Sequence, residues 1–426
     1  MTSAMMIRAV ALCAQFASLY IIIEFSEKSN ATTFFAQLAI ALLASRAATL
    51  AMPLYAYPLV EKGRTEMALA MALQVQLATF IPVLAVLVPM YLVWELPLWS
   101  GIALYLAALL DMNHIFFRHI LVARNADPRR IVVYEASQPV FFCTLLLLGH
   151  AMPGPGLLLI VTAYALAMIG MCAVGSMSSA GAVNWPNALG RVTTFNARHR
   201  RQLRFHALRS LPVSLDQFIG MAVGNFPIYA ATVLGRPLDV ISMALLQRLI
   251  AVVEAFSWLD VVHSLNVYYV QKQPQQRIRL TLAVAAAIAA LSYAASWLPH
   301  VSLIDSIGNA WLPNLYFHLV RLADVPGIFL LPGLAFLMMH LHSAYLGSRK
   351  FAELLNVGLI SLAVLVAVFA LSVGLQPASA FTAECLSTAV FAVAFILLTA
   401  FIFPAALGLA PSSTDREPNA PSTILR

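Results

Sequence analysis

Twelve runs of predominantly apolar residues follow one another along the chain and constrain its fold more than any other feature. Each is close to or above the length of about 20 residues that a helix needs to cross a bilayer. Only 10% of the 426 residues are charged, too few to coat soluble domains of this length. The sequence therefore predicts an all-α polytopic membrane protein with about 12 transmembrane helices in two six-helix bundles. The runs lie at about 5–25, 33–59, 67–93, 98–122, 132–151, 155–177, 207–233, 240–262, 279–298, 317–346, 352–374 and 379–403.

The distribution of basic residues predicts the orientation of these runs. Fifteen Lys and Arg residues lie in the connections on the same side as the N-terminus, whereas the opposite connections hold only Lys28 and Arg236. Cytoplasmic loops carry such an excess of positive charge. We therefore expect a multi-pass membrane protein with both termini in the cytoplasm. The tail at 404–426 is rich in Pro, Ser and Thr and is expected to be disordered.

A basic connection divides the chain into two parts. Residues 178–206 carry five arginines and two histidines and separate a bundle at 1–177 from a bundle at 207–403. Basic segments beside a membrane are attracted by anionic lipid. We therefore interpret this segment as a cytoplasmic linker and expect no nucleic-acid partner.

Ionisable side chains inside the predicted spans are candidates for a binding site, because a charge in hydrocarbon usually faces a cavity or a partner. Arg46 and Arg248 are the strongest candidates, since they lie some thirteen and eight residues into their runs. Arg118 and Arg209 lie nearer the cytoplasmic ends and are expected to assist them. The alternative is a buried lattice of ion pairs that holds helices together.

Three carboxylates in the spans are candidates for ion coupling. Asp111, Asp216 and Glu254 would bind and release protons in a medium of low dielectric constant. Arg321 and Asp324, at i and i+3 near the outer end of the tenth run, are expected to pair with each other.

The arginine content indicates the chemistry of the substrate. Of the 25 basic residues 21 are arginine, whose planar guanidinium donates two parallel hydrogen bonds to a phosphate. A cavity lined by these groups would attract an anionic, phosphorylated molecule.

Several enzyme classes are disfavoured by what the sequence lacks. No phosphate-binding G-x-x-x-x-G-K-[ST] motif and no H-E-x-x-H or G-x-S-x-G motif is present. The four cysteines lie in apolar runs without metal-ligand spacing. We therefore expect no catalytic residues, no metal and no cofactor.

The opening of the second half carries a resemblance to a known family. It reads LRSLPVSLD at 208–216 and continues with Ile228-Tyr229-Ala230-Ala231 and a turn at Gly235. In this pattern, and in its twelve helices with a basic loop after the sixth, the chain at 5–403 resembles the polysaccharide and lipid-linked-oligosaccharide flippases of the multidrug/oligosaccharidyl-lipid/polysaccharide (MOP) exporter superfamily.

The resemblance implies a transporter rather than an enzyme. Such a flippase moves an undecaprenyl-diphosphate-linked oligosaccharide or related polyprenyl-phosphate lipid across the inner membrane by alternating access. Its cavity arginines in the second and eighth helices correspond to Arg46 and Arg248. The implied partners are the lipid-linked sugar and the bilayer, with a glycan polymerase or other assembly proteins as further candidates.

Two alternatives stay open. A proton-coupled exporter of small drugs or metabolites is disfavoured because the first run lacks an acidic residue at its middle. An integral membrane glycan polymerase or glycosyltransferase is disfavoured because the longest outer loop, at about 299–316, offers only His300 and Asp305.

Overall fold

Every regular element in the described part of the chain is helical. The computed structural model describes residues 2–50, 59–60, 62–123, 128–150, 156–178, 185–193, 197–257, 274–325, 327–347, 350–376 and 380–404. The first half contains α1 (Thr2–Phe25), α2 (Lys28–Thr49), α3 (Thr65–Val93), α4 (Leu98–Ala123), α5 (Pro128–His150) and α6 (Leu157–Ser178). A short helix, α7 (Trp185–Thr193), follows.

The second half begins inside the stretch assigned to the linker. It contains α8 (Ala197–Val233), α9 (Pro237–Ser257), α10 (Pro274–Ser296), α11 (Ser302–Trp311), α12 (Pro313–Ala323), α13 (Leu331–Gly347), α14 (Phe351–Leu375) and α15 (Ala380–Ile402). The domain boundaries stay predictions, although α8 extends ten residues further toward the N-terminus than the predicted seventh span. The predicted tail at 404–426 lies almost wholly outside the described residues.

The predicted fold class is confirmed. Among the described residues, nine helices are long and apolar enough to cross a membrane, and the bent pair formed by α12 and α13 is a tenth candidate. The more highly charged α8 and α9 occupy the positions of the seventh and eighth predicted spans. The protein is thus an all-α polytopic membrane protein with about twelve transmembrane helices in two six-helix bundles. Below, the near side is the side on which α1 begins, and the far side is the opposite one.

The tenth span is broken where the sequence predicts one run at 317–346. The chain bends by 90° between α12 and α13. Gly327 has a φ of 82°, a left-handed conformation that glycine adopts without steric cost, and a 3-10 turn at Ile328–Leu330 follows. Apolar residues continue on both sides of the bend, so the run at 317–346 does not reveal it.

Two apolar cores show where the halves meet. The larger core fills the first half and continues into the far-side parts of α9 and α12, where it includes Ile241 and Leu322. The smaller core occupies the middle and near-side part of the second half and includes Ile219, Leu341 and Val357. The halves therefore share a core toward the far side and have separate cores toward the near side.

Close contact between α10 and α13 depends on Gly333. A Cβ atom at this position would lie 2.5 Å from the carbonyl oxygen of Ala285 and 2.8 Å from the Cβ of Ala289. Small residues at helix interfaces allow such an approach in membrane proteins. The backbone of α10 cannot retreat without disturbing the packing of the smaller core.

We expect Gly333→Ala to destabilise the protein by about 1–3 kcal/mol, the usual cost of overpacking. The measurement is the thermal unfolding of the detergent-solubilised protein. The matched control is Gly374→Ala, because nothing lies within 4 Å of a Cβ at that helical position. An equal loss of stability in both variants would contradict the proposed packing role of Gly333.

Candidate functional site

Arg46 lies nearer the near side than its position in the apolar run predicts. The run extends to residue 59, but α2 ends at Thr49, where Leu50 adopts a left-handed φ of 45°. Arg46 is therefore in the last turn of the helix, roughly 27 Å along the axis from Lys28 at 1.5 Å per residue. A cation is stabilised there by the unpaired carbonyl groups of the helix C-terminus.

Arg46 forms an ion pair with Asp111 of α4. The guanidinium Nη2 lies 3.9 Å from Oδ2 of the carboxylate, and the two side chains keep 17% and 27% of their exposure. The separation is at the long limit of a salt bridge. Because ionised groups are not stable against lipid, their partial exposure within a span requires a water-filled space beside them.

Arg248 approaches this pair from the second half. It lies eleven residues into α9, roughly 17 Å from the start of that helix. Tyr164 of α6 lies near both Asp111 and Arg248. Among the described side chains, no carboxylate lies within salt-bridge distance of Arg248.

Tyr164 is held in position by aromatic packing. Its ring meets Phe142 edge to face at a centroid distance of 5.5 Å and Phe34 at 6.1 Å. Such pairs favour one ring orientation. The hydroxyl group therefore has a defined position between the charged side chains of the two halves. We call Arg46, Asp111, Tyr164 and Arg248 the central cluster.

Arg118 lies outside the central cluster, although sequence places it on the same helix stripe as Asp111. Its Nε is 2.8 Å from Oε1 of Glu135, and both side chains are mostly buried. In this conformation the pair joins α4 to α5, the function expected of a structural ion pair. A role of Arg118 in substrate binding stays a prediction.

Asp216 belongs to a second group of polar side chains in the second half. Its Oδ2 lies 2.6 Å from Nε2 of His342 on α13, and the carboxylate is 8% exposed. Two residues earlier on α13, His340 forms a hydrogen bond of 3.1 Å with Thr281 of α10. Because two residues rotate a helix by about 200°, His342 faces α8 while His340 faces α10.

Two predicted site residues cannot be placed in either group. Arg209 lies in α8 and Glu254 in α9. The side chains of both lie outside the described residues, so their roles stay predictions.

Within the described ranges, three hydrogen-bonded contacts join the two halves, at the far side and as deep as the middle of α2. Glu24, at the far end of α1, accepts hydrogen bonds from the backbone amides of Asn314 and Leu315 at 3.3 and 2.6 Å. Thr32 donates to the carbonyl of Pro237 at 3.2 Å. The third contact runs from the hydroxyl of Tyr229 to the carbonyl of Ala39 at 2.9 Å.

These contacts and the cores describe one conformation. The halves are joined on the far side, and the central cluster adjoins the shared core, which includes Tyr164 and Leu246. A space between the near-side parts of the bundles would bring water to Arg46 and Asp111.

Sequence reasoning missed several residues of these sites. Tyr164 reads as one more aromatic residue of an apolar run. His342 was detectable, because an ionisable group inside a span is a candidate by the same rule that selects Arg46. Glu24 stands at the end of its run, where a charge is expected, and only the fold brings it to α12.

Comparison with known proteins identifies the fold. No protein-family profile and no curated protein matches the chain. A multidrug resistance MATE family transporter of the MOP superfamily in an inward-facing conformation matches with a TM-score of 0.59 at 15% identity, over 95% of this chain and 96% of that one. The eukaryotic MATE transporter AtDTX14 matches with a TM-score of 0.54 at 11% identity, over 96% and 97%.

A third structure has the same fold. It is a MOP superfamily transporter from Pyrococcus furiosus described as having a binding pocket of reverse polarity, with a TM-score of 0.50 at 14% identity, over 93% of this chain and 92% of that one. At these identities the likeness establishes that the chain has the fold of MOP superfamily transporters along nearly its whole length.

The contact made by Glu24 is expected to hold the far side closed. Glu24→Gln keeps the size of the side chain but offers one acceptor oxygen to two backbone amides. Loss of a charge-assisted hydrogen bond costs about 1.5 kcal/mol or more, so the equilibrium between closed and open far sides should shift about tenfold toward the open form. The measurement is disulfide cross-linking between Thr32→Cys and Pro237→Cys in a background without the native cysteines.

The control for this experiment is Glu27→Gln. Glu27 is exposed and its side chain makes no capping hydrogen bond. Equal cross-linking in the Glu24 and Glu27 variants would exclude Glu24 from far-side closure.

Proposed function

We propose that this protein is an alternating-access membrane transporter of the MOP superfamily that flips an undecaprenyl-diphosphate-linked oligosaccharide or a related polyprenyl-phosphate lipid. The observation that carries the proposal is the placement of Arg248, which enters the central cluster from the second half without a carboxylate partner among the described side chains. An unneutralised guanidinium in the middle of a span calls for an anionic ligand.

The central cluster suits a diphosphate that is bound between two moving bodies. Arg46 belongs to the first half and Arg248 to the second, so a ligand held by both would follow their relative motion. The long separation between Arg46 and Asp111 leaves a guanidinium that a phosphate oxygen competes for effectively. The polyprenyl chain would stay in the bilayer while the sugar occupies the water-filled space.

The conformation is consistent with loading of the substrate from the near side. The near side is the cytoplasmic one by the distribution of basic residues, and the halves are separate there. One transporter with the same fold was observed in an inward-facing conformation. Lipid-linked sugars assembled on the cytoplasmic leaflet would enter from this side.

We assign proton coupling to Asp216 with His342, whose Nε2 lies 2.6 Å from Oδ2 of the carboxylate. A proton taken up by this pair changes its net charge on helices of the second half rather than at the substrate arginines. Binding of the proton therefore changes the packing of α8 against α13 without competing directly for the phosphate.

A small-molecule exporter is the second candidate function. It is favoured by the fold, since one matching structure is a MATE protein in complex with Br-NRF, with a TM-score of 0.51 at 14% identity. Against it stands the positive charge of the central cluster, which would repel a cationic drug.

We expect Arg46→Ala and Arg248→Ala each to weaken binding of a polyprenyl-diphosphate-linked sugar about 10- to 100-fold, because a hydrogen bond to a charged group contributes about 1.5–3 kcal/mol. The measurement is translocation of a fluorescent lipid-linked oligosaccharide in proteoliposomes, together with binding to the detergent-solubilised protein.

Arg130→Ala is the matched control, because Arg130 is exposed at the start of α5. Unchanged translocation in both central variants would remove the flippase proposal. Proton-driven export of a cationic dye, with no lipid flipping, would favour the drug exporter instead.

Asp216→Asn is expected to uncouple transport from the proton gradient. The amide keeps a polar contact with His342 but cannot carry the charge that a proton neutralises. Flipping driven by a pH gradient should fall to the rate seen without a gradient, while the affinity for the lipid-linked sugar stays the same. A variant that still responds fully to the gradient would exclude Asp216 from coupling.

A further inference from the structure

Four charged side chains meet on the far side of the second half, away from the central cluster and from Asp216. Arg236 lies in the turn between α8 and α9, Asp239 in the first turn of α9, Arg321 near the end of α12 and Glu384 in the second turn of α15. We call them the far-side cluster. The expected pairing of Arg321 with Asp324 is wrong, because Arg321 turns inward to this cluster while Asp324 is 64% exposed and lies 3.8 Å from His300.

Asp239 is the centre of the cluster. Its two oxygens lie 2.5 Å from Nε of Arg236 and 2.5 Å from Nη2 of Arg321, and its side chain is 2% exposed. Asp239 thus forms the shortest ion pair of both Arg236 and Arg321. The carboxyl group of Asp239 is ionised, because only that form matches two cations.

Glu384 is held much less completely. Its side chain is fully buried, and its nearest cation contact is 3.4 Å from Oε1 to Nη1 of Arg236. Among the described residues, Oε2 of Glu384 meets no hydrogen-bond donor. A buried carboxylate with one long ion pair and an unpartnered oxygen is unstable as an anion.

The two carboxyl groups lie side by side, since both contact the guanidinium of Arg236, Asp239 at Nε and Glu384 at Nη1. Two ionised carboxylates are both acceptors and repel each other, so a hydrogen bond between neighbouring carboxyl groups requires one proton. Asp239 already has two cations, which leaves Glu384 as the carrier of that proton.

We propose that Glu384 and Asp239 form a proton-binding site in which Glu384 holds a proton and donates it to Asp239. The remaining charged and titratable groups around it are few. Cys385 is the neighbour on α15, and His318 of α12 is 2% exposed, bonded to Ser242 and close to Arg321 and Lys28. Phe381 stacks on the guanidinium of Arg321 at 4.1 Å.

The far-side cluster supports the two elements through which the second half contacts the first. Arg236 directly precedes Pro237, whose carbonyl accepts the hydrogen bond from Thr32. Arg321 lies on α12, whose first amides bind Glu24. Loss of the proton from Glu384 would place two negative charges side by side and draw Arg236 away from Asp239. Deprotonation would therefore loosen the far-side closure, a consequence that rests on the proposed transport function.

The proton itself is tested without substrate. Infrared spectra of the purified protein at neutral pH are expected to contain the carbonyl band of a protonated carboxyl group, which Glu384→Gln removes. Asp305→Asn, a change at an exposed carboxylate on α11, is the matched control and should keep the band. Superimposable spectra of the wild type and Glu384→Gln would overturn the proposal.

Thermal unfolding gives a second, independent measurement. The glutamine side chain of the Glu384→Gln variant can donate a hydrogen bond from its amide to Asp239, as the protonated acid does. At neutral pH this variant should therefore unfold at the same temperature as the wild type. The folded wild type keeps a proton that the unfolded chain releases, so its stability should fall as pH rises, and this slope should be absent in Glu384→Gln. Marked destabilisation of Glu384→Gln at neutral pH would show instead that Glu384 is an ionised partner of Arg236.

The two proposals fail in different ways. A missing infrared band would remove the proton site and leave the central cluster untouched. The proposed effect of Glu384 on far-side closure is tested separately. Cross-linking between Thr32→Cys and Pro237→Cys that does not change with pH would contradict this effect, even where the infrared band is present.

Discussion

An ionised side chain that leaves water must meet an opposite charge or retain a water-filled space, and this requirement determines where the charged groups of the protein lie. Arg118 satisfies it with Glu135, and Asp216 contacts His342, whose Nε2 lies 2.6 Å from the carboxylate. Each pair joins two helices of one half. Such a pair fixes the relative rotation of the two helices, which apolar contacts alone do not. Arg248 has no such partner among the described side chains, and this exception is the strongest indication of a ligand.

The same requirement explains why the two halves meet unevenly. Toward the far side the interface consists of a shared apolar core and a few hydrogen bonds. Of these bonds in the described residues, only those accepted by Glu24 involve a charged group. Toward the near side Arg46 and Asp111 remain partly exposed, and as ionised groups they require water beside them. Closing that side would remove water from Arg46 and Asp111. Closure therefore becomes favourable only when a ligand replaces the water or when the distance between the two side chains shortens.

The sequence predicts the fold well because a span consists of some twenty consecutive, mostly apolar residues. Hydropathy is averaged over all of them, so single polar residues do not hide the span. It predicts the site less well, because pairing depends on rotation and depth. Arg118 shares a stripe with Asp111 but reaches α5, and Arg321 turns from Asp324 to Asp239. The sequence predicts a deeper position for Arg46 than the structure shows, because the apolar run continues beyond the end of α2. Glu384 lies within an apolar run, so the rule for charges in spans applies to it as well.

The length of α8 has a mechanical consequence. It contains 37 residues and so extends for roughly 55 Å, from the basic linker to the turn at Gly235. The arginines at its first turns and the wall of the second bundle therefore belong to one helix, which continues past Pro212 and Pro227. A tilt of this helix would move Arg201 and Arg204 relative to the headgroups of the adjoining leaflet, so the content of anionic lipid in that leaflet would contribute to the free energy of the tilt.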